Sequence, residues 1–273
     1  MSLFVTERLT DKLFVICDSD DGNTSIHVEN DGLLVVDTKS AALTDDLLAE
    51  IAQIADKPVR FVVNTHWHPD HVGGNERLAK AGATIIAHEV ARKRMSEEQY
   101  IRFADRRIPA LPEVALPRIT MTDGLKLHYN RETIVVSCPR FTHTDGDAIV
   151  FFQQANVIQL GDIYFNGVYP YVSVSSGASY AQMLNVGREL LSAIDDQTWI
   201  IPGHGPMARK AEYARYLNML DTVYGRVARQ IAEGKSEEEV IAVKPTREFD
   251  PAWAKGNLSP DLFVHVVYDD IVT

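Results

Sequence analysis

Cysteine is almost missing from this 273-residue chain: Cys17 and Cys138 stand far apart, with no CxxC spacing. That argues against a disulfide framework or a thiolate-held metal and leaves two buried thiols as the expectation. Long apolar runs are missing as well, with no stretch of eighteen such residues, so no segment is expected to cross a bilayer as a helix. The opening MSLFVTERLTDKLFVI lacks the basic-then-apolar order of a secretory signal. As written, the chain is expected in the cytoplasm, and in the periplasm had a signal peptide been removed ahead of Phe4. Positive charge is the scarcer sign. The 27 Lys+Arg against 38 Asp+Glu leave a net charge of −11, which repels phosphate backbones and anionic lipids. A small-molecule substrate is therefore expected, with no nucleic-acid or membrane partner; the oligomeric state is not legible. No Gly/Ser linker, Pro-rich linker or internal repeat interrupts the chain, so residues 1–273 are expected to form a single domain.

What is present is a globular composition, 45% hydrophobic and 24% charged, able to bury a core. Short β-rich runs alternate with helical ones. Strands are expected at 14–17, 24–28, 33–37, 60–64, 84–87, 126–129, 133–137, 148–152, 157–160 and 199–201. Leu47, Leu48, Ile51 and Ile54 repeat at helical spacing before Pro58. Ser179, three residues before Gln182, reads as a capping box for a helix whose Tyr180, Met183, Leu184, Gly187, Leu190, Leu191 and Ile194 share a buried face. A third helical stripe runs from Tyr213 through Tyr216, Leu217, Leu220, Val223, Tyr224 and Val227 to Ile231. The order suggests two sheets with helices on both outer faces. Residues 100–117, with three prolines and little periodicity, read as a long irregular segment of the kind that walls a site.

Three of nine histidines fall within six residues, in NTHWHPDHVGG at 64–74, directly after an apolar strand. Strand ends are where open α/β sheets hold ligands. Imidazole and carboxylate are the ligands zinc takes when thiolate is absent. Three more segments have the same setting: FTHTDGD at 141–147, VIQLGD at 157–162 and WIIPGHG at 199–205. Together they offer five histidines and two aspartates, enough for two metals sharing one carboxylate.

In these motifs the chain resembles the metallo-β-lactamase superfamily: HxHxDH stands as His66, His68, Asp70 and His71, followed by Gly73, Gly74 and Asn75, and His143, Asp162 and His204 come in the family's order. The resemblance implies an α/β (α+β) fold, a four-layered αββα sandwich of two mixed sheets flanked by helices. It further implies two Zn2+ per chain, with iron as the other candidate metal. His66, His68 and His143 would hold the first, Asp70, His71 and His204 the second, and Asp162 would bridge them. Asp70 would also orient a nucleophilic water.

The implied activity is hydrolysis of an ester, thioester, lactone or amide, a β-lactam included. A phosphodiesterase or ribonuclease of the same superfamily, or a non-catalytic metal-binding protein, is the alternative. Asp37, at a strand end, is either a turn former or a hydrogen-bond partner behind the ligands. His88 is either structural or a second such partner, and Asp145 and Asp147 are loop formers or partners of His143. Tyr164, Phe165, Asn166 and Tyr169 follow Asp162 and wall the substrate cleft or pack in the core. Phe165 stands where lactamase relatives place a lysine for the substrate carboxylate. Arg102, Arg106 and Arg107 are the cations that the irregular segment could bring instead.

Overall fold

The computed structural model describes residues 4–18, 21–101, 105–129 and 131–273. Two compact units divide them, Met1–Pro139 with Gly146–Gly161, and Arg140–Asp145 with Asp162–Thr273. No helix among the described residues is long and apolar enough to cross a membrane.

The first unit is built on a seven-stranded sheet of order β1-β2-β3-β4-β5-β6-β9. Its strands are β1 (Val5–Arg8), β2 (Leu13–Cys17), β3 (Thr24–Glu29), β4 (Gly32–Val36), β5 (Val59–Val63), β6 (Thr84–His88) and β9 (Ile119–Met121). β1 to β4 run antiparallel, whereas β4, β5, β6 and β9 are parallel. The parallel part sets the position of the site, because parallel neighbours end at the same edge of the sheet. β4, Gly-Leu-Leu-Val-Val, is buried along its whole length, as a strand covered on both faces must be.

Helix α1 (Thr44–Ile54) covers one face. Its Leu47 and Ile51 join Ile16, Ile26, Val35, Val62 and Ile85 in one apolar cluster, and Asp45 and Asp46 favour its first turn through the helix dipole. Against the other face lies the antiparallel run β10 (Gly124–Tyr129), β11 (Glu132–Ser137), β12 (Ile149–Phe152) and β13 (Val157–Phe165). The rings of His27 and Phe152 meet there at 5.7 Å, and Ser25 Oγ donates to Gln159 Oε1 at 2.5 Å.

β13 passes at Asp162 into the second unit, where β14 (Trp199–His204) is its neighbour. Two helices follow the stripes read from the sequence, although Leu190, Leu191 and Ile194 are only half-buried and Ile194 falls just after the first helix ends. α5 (Tyr180–Ala193) buries Tyr180, Met183, Leu184 and Gly187, and α6 (Lys210–Ala232) buries Tyr213, Tyr216, Leu217, Leu220, Val223 and Val227. Tyr164 of β13 packs between Tyr213 and Tyr216 with both centroids at 5.0 Å. The C-terminal α9 (Pro260–Val272) adds Phe263, stacked on Tyr169 at 4.5 Å. The fold class is α/β, with sheets faced by helices.

Several local expectations change. Residues 100–117 are not irregular throughout: a hairpin of β7 (Gln99–Ile101) and β8 (Arg106–Ile108) and a 3-10 turn at Glu113–Ala115 lie in and beside them. Its holding contacts are polar, Arg107 to Glu98 at 2.6 Å and Tyr100 to Asp105 at 2.6 Å, so apolar alternation does not reveal it. Arg102 lies outside the described residues. β1 is exposed at all four positions and escapes the sequence for the same reason. Ser179 caps α5 by accepting from the Ala181 N–H, two residues on, rather than from the third residue of a capping box. Both cysteines are free and buried, and burial pushes their thiols up to about 11 for Cys17 and about 12 for Cys138, which keeps them protonated and unreactive.

Candidate metal centre

In the first unit the parallel strands β4 and β5 bring their C-terminal ends side by side. β4 is followed by Asp37 and β5 by Asn64, Thr65 and His66. The Asp37 N–H reaches the Val63 carbonyl at 2.9 Å, which extends the ladder by one step before the chain turns. Asp37 itself adopts left-handed backbone, φ 61°. Its buried carboxylate accepts from the Thr65 N–H at 2.7 Å through Oδ1 and from the Thr65 hydroxyl at 2.7 Å through Oδ2. Oδ2 also lies 2.8 Å from Nδ1 of His71. A carboxylate on Nδ1 fixes the tautomer with the proton on that nitrogen and leaves Nε2 as the coordinating atom. His66 has Nδ1 3.0 Å from the Thr65 hydroxyl. Asp37 thus bonds the ligand candidate His71 as well as shaping the turn.

The short helix α2 (Pro69–Val72) opens directly after His68, with Pro69 at its first turn. It brings Asp70 Oδ2 to 3.4 Å from His71 Nε2. The rings of His66, His68 and His71 converge, with His66 4.7 Å from His68 and 4.2 Å from His71 by centroids. Behind α2, Gly73 lies against the turn after Asp37: a Cβ there would stand 2.1 Å from the Ala41 nitrogen, so only glycine permits this approach. The His71 carbonyl takes the Thr38 N–H at 2.8 Å, and the Asn64 and Asn75 amides bond to each other beside it.

In the second unit His143, Asp162 and His204 form a second cluster. His143 Nδ1 bonds the Tyr171 carbonyl at 2.8 Å, which again turns Nε2 outward. That Nε2 lies 3.3 Å from Asp162 Oδ2, and His204 Nε2 lies 3.5 Å from Asp162 Oδ1. One carboxylate therefore presents a different oxygen to each imidazole. Two ligands at 2.0–2.2 Å from a shared tetrahedral ion stand roughly 3.3–3.5 Å apart, the separation seen in all three of these nitrogen–oxygen pairs. Imidazoles with bonded Nδ1 atoms, set beside carboxylates at this spacing, are a donor set suited to zinc, and equally to iron.

The other sequence candidates divide sharply. Phe165 stacks on His204, centroids 5.4 Å and planes 8° apart, and meets His143 at 5.8 Å. Asn166 binds the loop after His204 through its N–H to the His204 carbonyl at 2.9 Å and its side chain to the Pro206 carbonyl at 2.7 Å. Tyr164 and Tyr169, in contrast, are core residues; Tyr169 donates to Asp250 at 2.7 Å, and burial raises both phenols. They do not wall a cleft, because the strand's alternation turns Tyr164 to the helices. His88 is the N-cap of α4 (Glu89–Met95): Nδ1 accepts from the Val90 N–H at 3.1 Å and Nε2 faces the Thr122 carbonyl at 3.1 Å. Both of its nitrogens serve structure. Thr65 and the Tyr171 carbonyl, which bond the ligand candidates His66 and His143, carry no signal in the sequence beyond adjacency.

The metallo-beta-lactamase superfamily model matches residues 18–204, spanning every one of these positions. The chain belongs to that superfamily. Over 62 residues it is 47% identical to the linear primary-alkylsulfatase of Pseudomonas sp. (strain ATCC 19151), covering 20% of this chain and 12% of that protein. A metallo-beta-lactamase from Pontibacter korlensis has the same fold at a TM-score of 0.66 and 17% identity, over 80% of this chain and 99% of its own. The stereoselective inverting sec-alkylsulfatase Pisa1 from Pseudomonas sp. aligns at a TM-score of 0.71 and 17% identity, over 97% of this chain. This superfamily member spans only half the length of that alkylsulfatase.

Proposed function

We propose that this superfamily member is a metal-dependent hydrolase of small molecules, with two zinc ions held by His66, His68 and His143 and by Asp70, His71 and His204, and with Asp162 common to both. The observation that carries the reading is the Asp162 carboxylate, which offers Oδ2 to the His143 imidazole at 3.3 Å and Oδ1 to the His204 imidazole at 3.5 Å. A carboxylate serving one ion needs no such division.

Bound there, the metal pair would supply Lewis-acid activation of water and of the scissile group. The protein's own part is orientation. Asp37 and Thr65 hold His71 and His66 in the coordinating tautomer. Asp70, its side chain one-third exposed beside a fully buried His71, is the carboxylate that can accept a proton from an attacking water and hold it in line. Phe165 gives an apolar surface against His204 in place of a cation, so apolar substrate groups are favoured over a carboxylate next to the reacting bond. Esters, thioesters, lactones and amides fit this chemistry, and the two alkylsulfatase likenesses add sulfate esters. The net charge of −11 argues against RNA or DNA as substrate.

Elemental analysis combined with turnover of carboxylic esters, acyl thioesters, lactones, a β-lactam and alkyl sulfates tests the reading. Asp70→Asn is expected to keep the fold and lose most turnover. A protein loaded with two metal ions that hydrolyses none of these, or an Asp70→Asn variant with unaltered rates, overturns it.

A further inference from the structure

The turn after β4 holds two non-glycine residues in left-handed backbone, Asp37 at φ 61° and Lys39 at φ 55°. Such residues persist where the surroundings over-determine them, commonly at functional sites. The role of Asp37 is clear from its bonds to Thr65 and His71. Lys39 has no role in the metal centre described so far, yet its side chain is fully buried. Its Nζ donates to the Gly22 carbonyl at 2.8 Å and to Asp18 Oδ2 at 3.2 Å, and lies 4.9 Å from the centre of the Phe4 ring. The next N–H, from Ser40, goes to Asp21 Oδ2 at 2.8 Å. Asp18, Asp21 and Gly22 are thereby tied to the turn that carries Asp37.

Gly22 rests on the ring of His71. A Cβ at position 22 would stand 2.5 Å from His71 Cε1, 2.7 Å from Nε2 and 2.8 Å from Nδ1. No side chain fits there without moving the imidazole. The Lys39 carbonyl also takes the Gly73 N–H at 2.8 Å, at the end of the helix that bears His71. A buried ammonium is costly unless paired, and an apolar residue of similar volume often stabilises a core as well. A lysine here therefore calls for a purpose that packing does not supply.

We propose that Lys39 is a positioning residue for the metal centre, its ammonium holding the backbone of Gly22 against the His71 imidazole that Asp37 fixes at Nδ1. The proposal rests on His71 being a metal ligand. It makes His71 a ring held on two sides before any ion arrives, which lowers the reorganisation needed for binding.

The test is titration of the metal-free protein with Zn2+ and with Co2+ against a chromogenic chelator, together with the visible spectrum of the Co2+ form and the melting temperature of the metal-free form. Gly22→Ala and Lys39→Met are each expected to weaken one of the two metal equivalents by about 10–100-fold and to alter the Co2+ spectrum, with Lys39→Arg in between. Because Lys39→Met takes the cation away from the Asp18 carboxylate, Lys39→Met/Asp18→Asn is measured beside it. Gly22→Ala changes no charge and carries the geometric half of the proposal if Lys39→Met and the double variant do not fold. Lys39→Arg, which keeps the charge, then carries the other half. A parent protein that takes up no metal removes the reading of the site itself. A parent that binds metal while Gly22→Ala or the charge-neutral double variant binds as tightly, with the same Co2+ spectrum, overturns the role of Lys39. A lower metal-free melting temperature with unchanged affinity does so too.

Discussion

At the scale of single residues, the metal centre depends on which atom of a side chain is left over after hydrogen bonding. His71 and His143 each have Nδ1 tied down, one by Asp37 and one by the Tyr171 carbonyl, so both offer Nε2. Asp37→Asn replaces one acceptor oxygen by an amide that donates, which invites the opposite tautomer of His71. Metal affinity is expected to fall about 10–100-fold in chelator competition, and unaltered affinity would show that Asp37 only shapes the turn. Asp162→Asn is expected to reduce two tightly held ions to one by elemental analysis after dialysis, since an amide bridges two cations poorly. Two ions retained after the same dialysis would remove the bridging role. These ligand candidates were legible in the sequence, because HxHxDH and its later partners form an ordered set. Thr65 and Lys39 were not, since a threonine or a lysine acquires a role only through what the fold sets beside it.

At the scale of elements, strand alternation decides why Tyr164 is core while Phe165, its neighbour, stacks on His204. The sequence lists both as aromatics after Asp162 and cannot say which face each takes. The same alternation buries His27 of β3 between the sheets, where burial lowers its pKa from 6.5 to about 4. Glu29, with Oε1 3.7 Å from the ring, opposes that shift, and Lys12, paired to Glu29 at 2.8 Å, restores part of it. Because the folded pKa lies below the unfolded one, the neutral ring's contribution is whole above about pH 6.5 and is lost as pH falls towards 4, where the unfolded state binds the extra proton. Between pH 7 and 4.5 this amounts to about 2 kcal/mol. Urea denaturation of the metal-free protein should therefore show the parent losing more stability over that range than His27→Gln. Equal losses would mean that His27 titrates normally in the folded state.

For the molecule as a whole, the apolar cores contain no ligand candidate, although the one with Trp67 and Val72 adjoins His66, His68 and His71. Leu47, Ile51, Val35 and Val62 belong to one, and Tyr164, Tyr213 and Tyr216 to another, and none is a ligand candidate. Chelation is therefore expected to leave the far-ultraviolet circular dichroism intact while lowering the melting temperature, as loss of a ligand that binds only the native state requires. Collapse of the spectrum on chelation would make the metal a folding element instead. The sequence by itself determined the alternation of strands and helices, the buried stripes of α5 and α6, the seven ligand candidates and the superfamily they mark, because apolar periodicity and clustered imidazoles are local signals. The hairpin at Gln99–Ile108 and the edge strand β1 came only with the structure, since polar pairing and backbone bonds hold them. The choice of Asp37 over His88 as partner was likewise tertiary: β4 and β5 are parallel neighbours, and their ends bring Asp37 to Thr65 and His71, while His88 is occupied at the start of a helix.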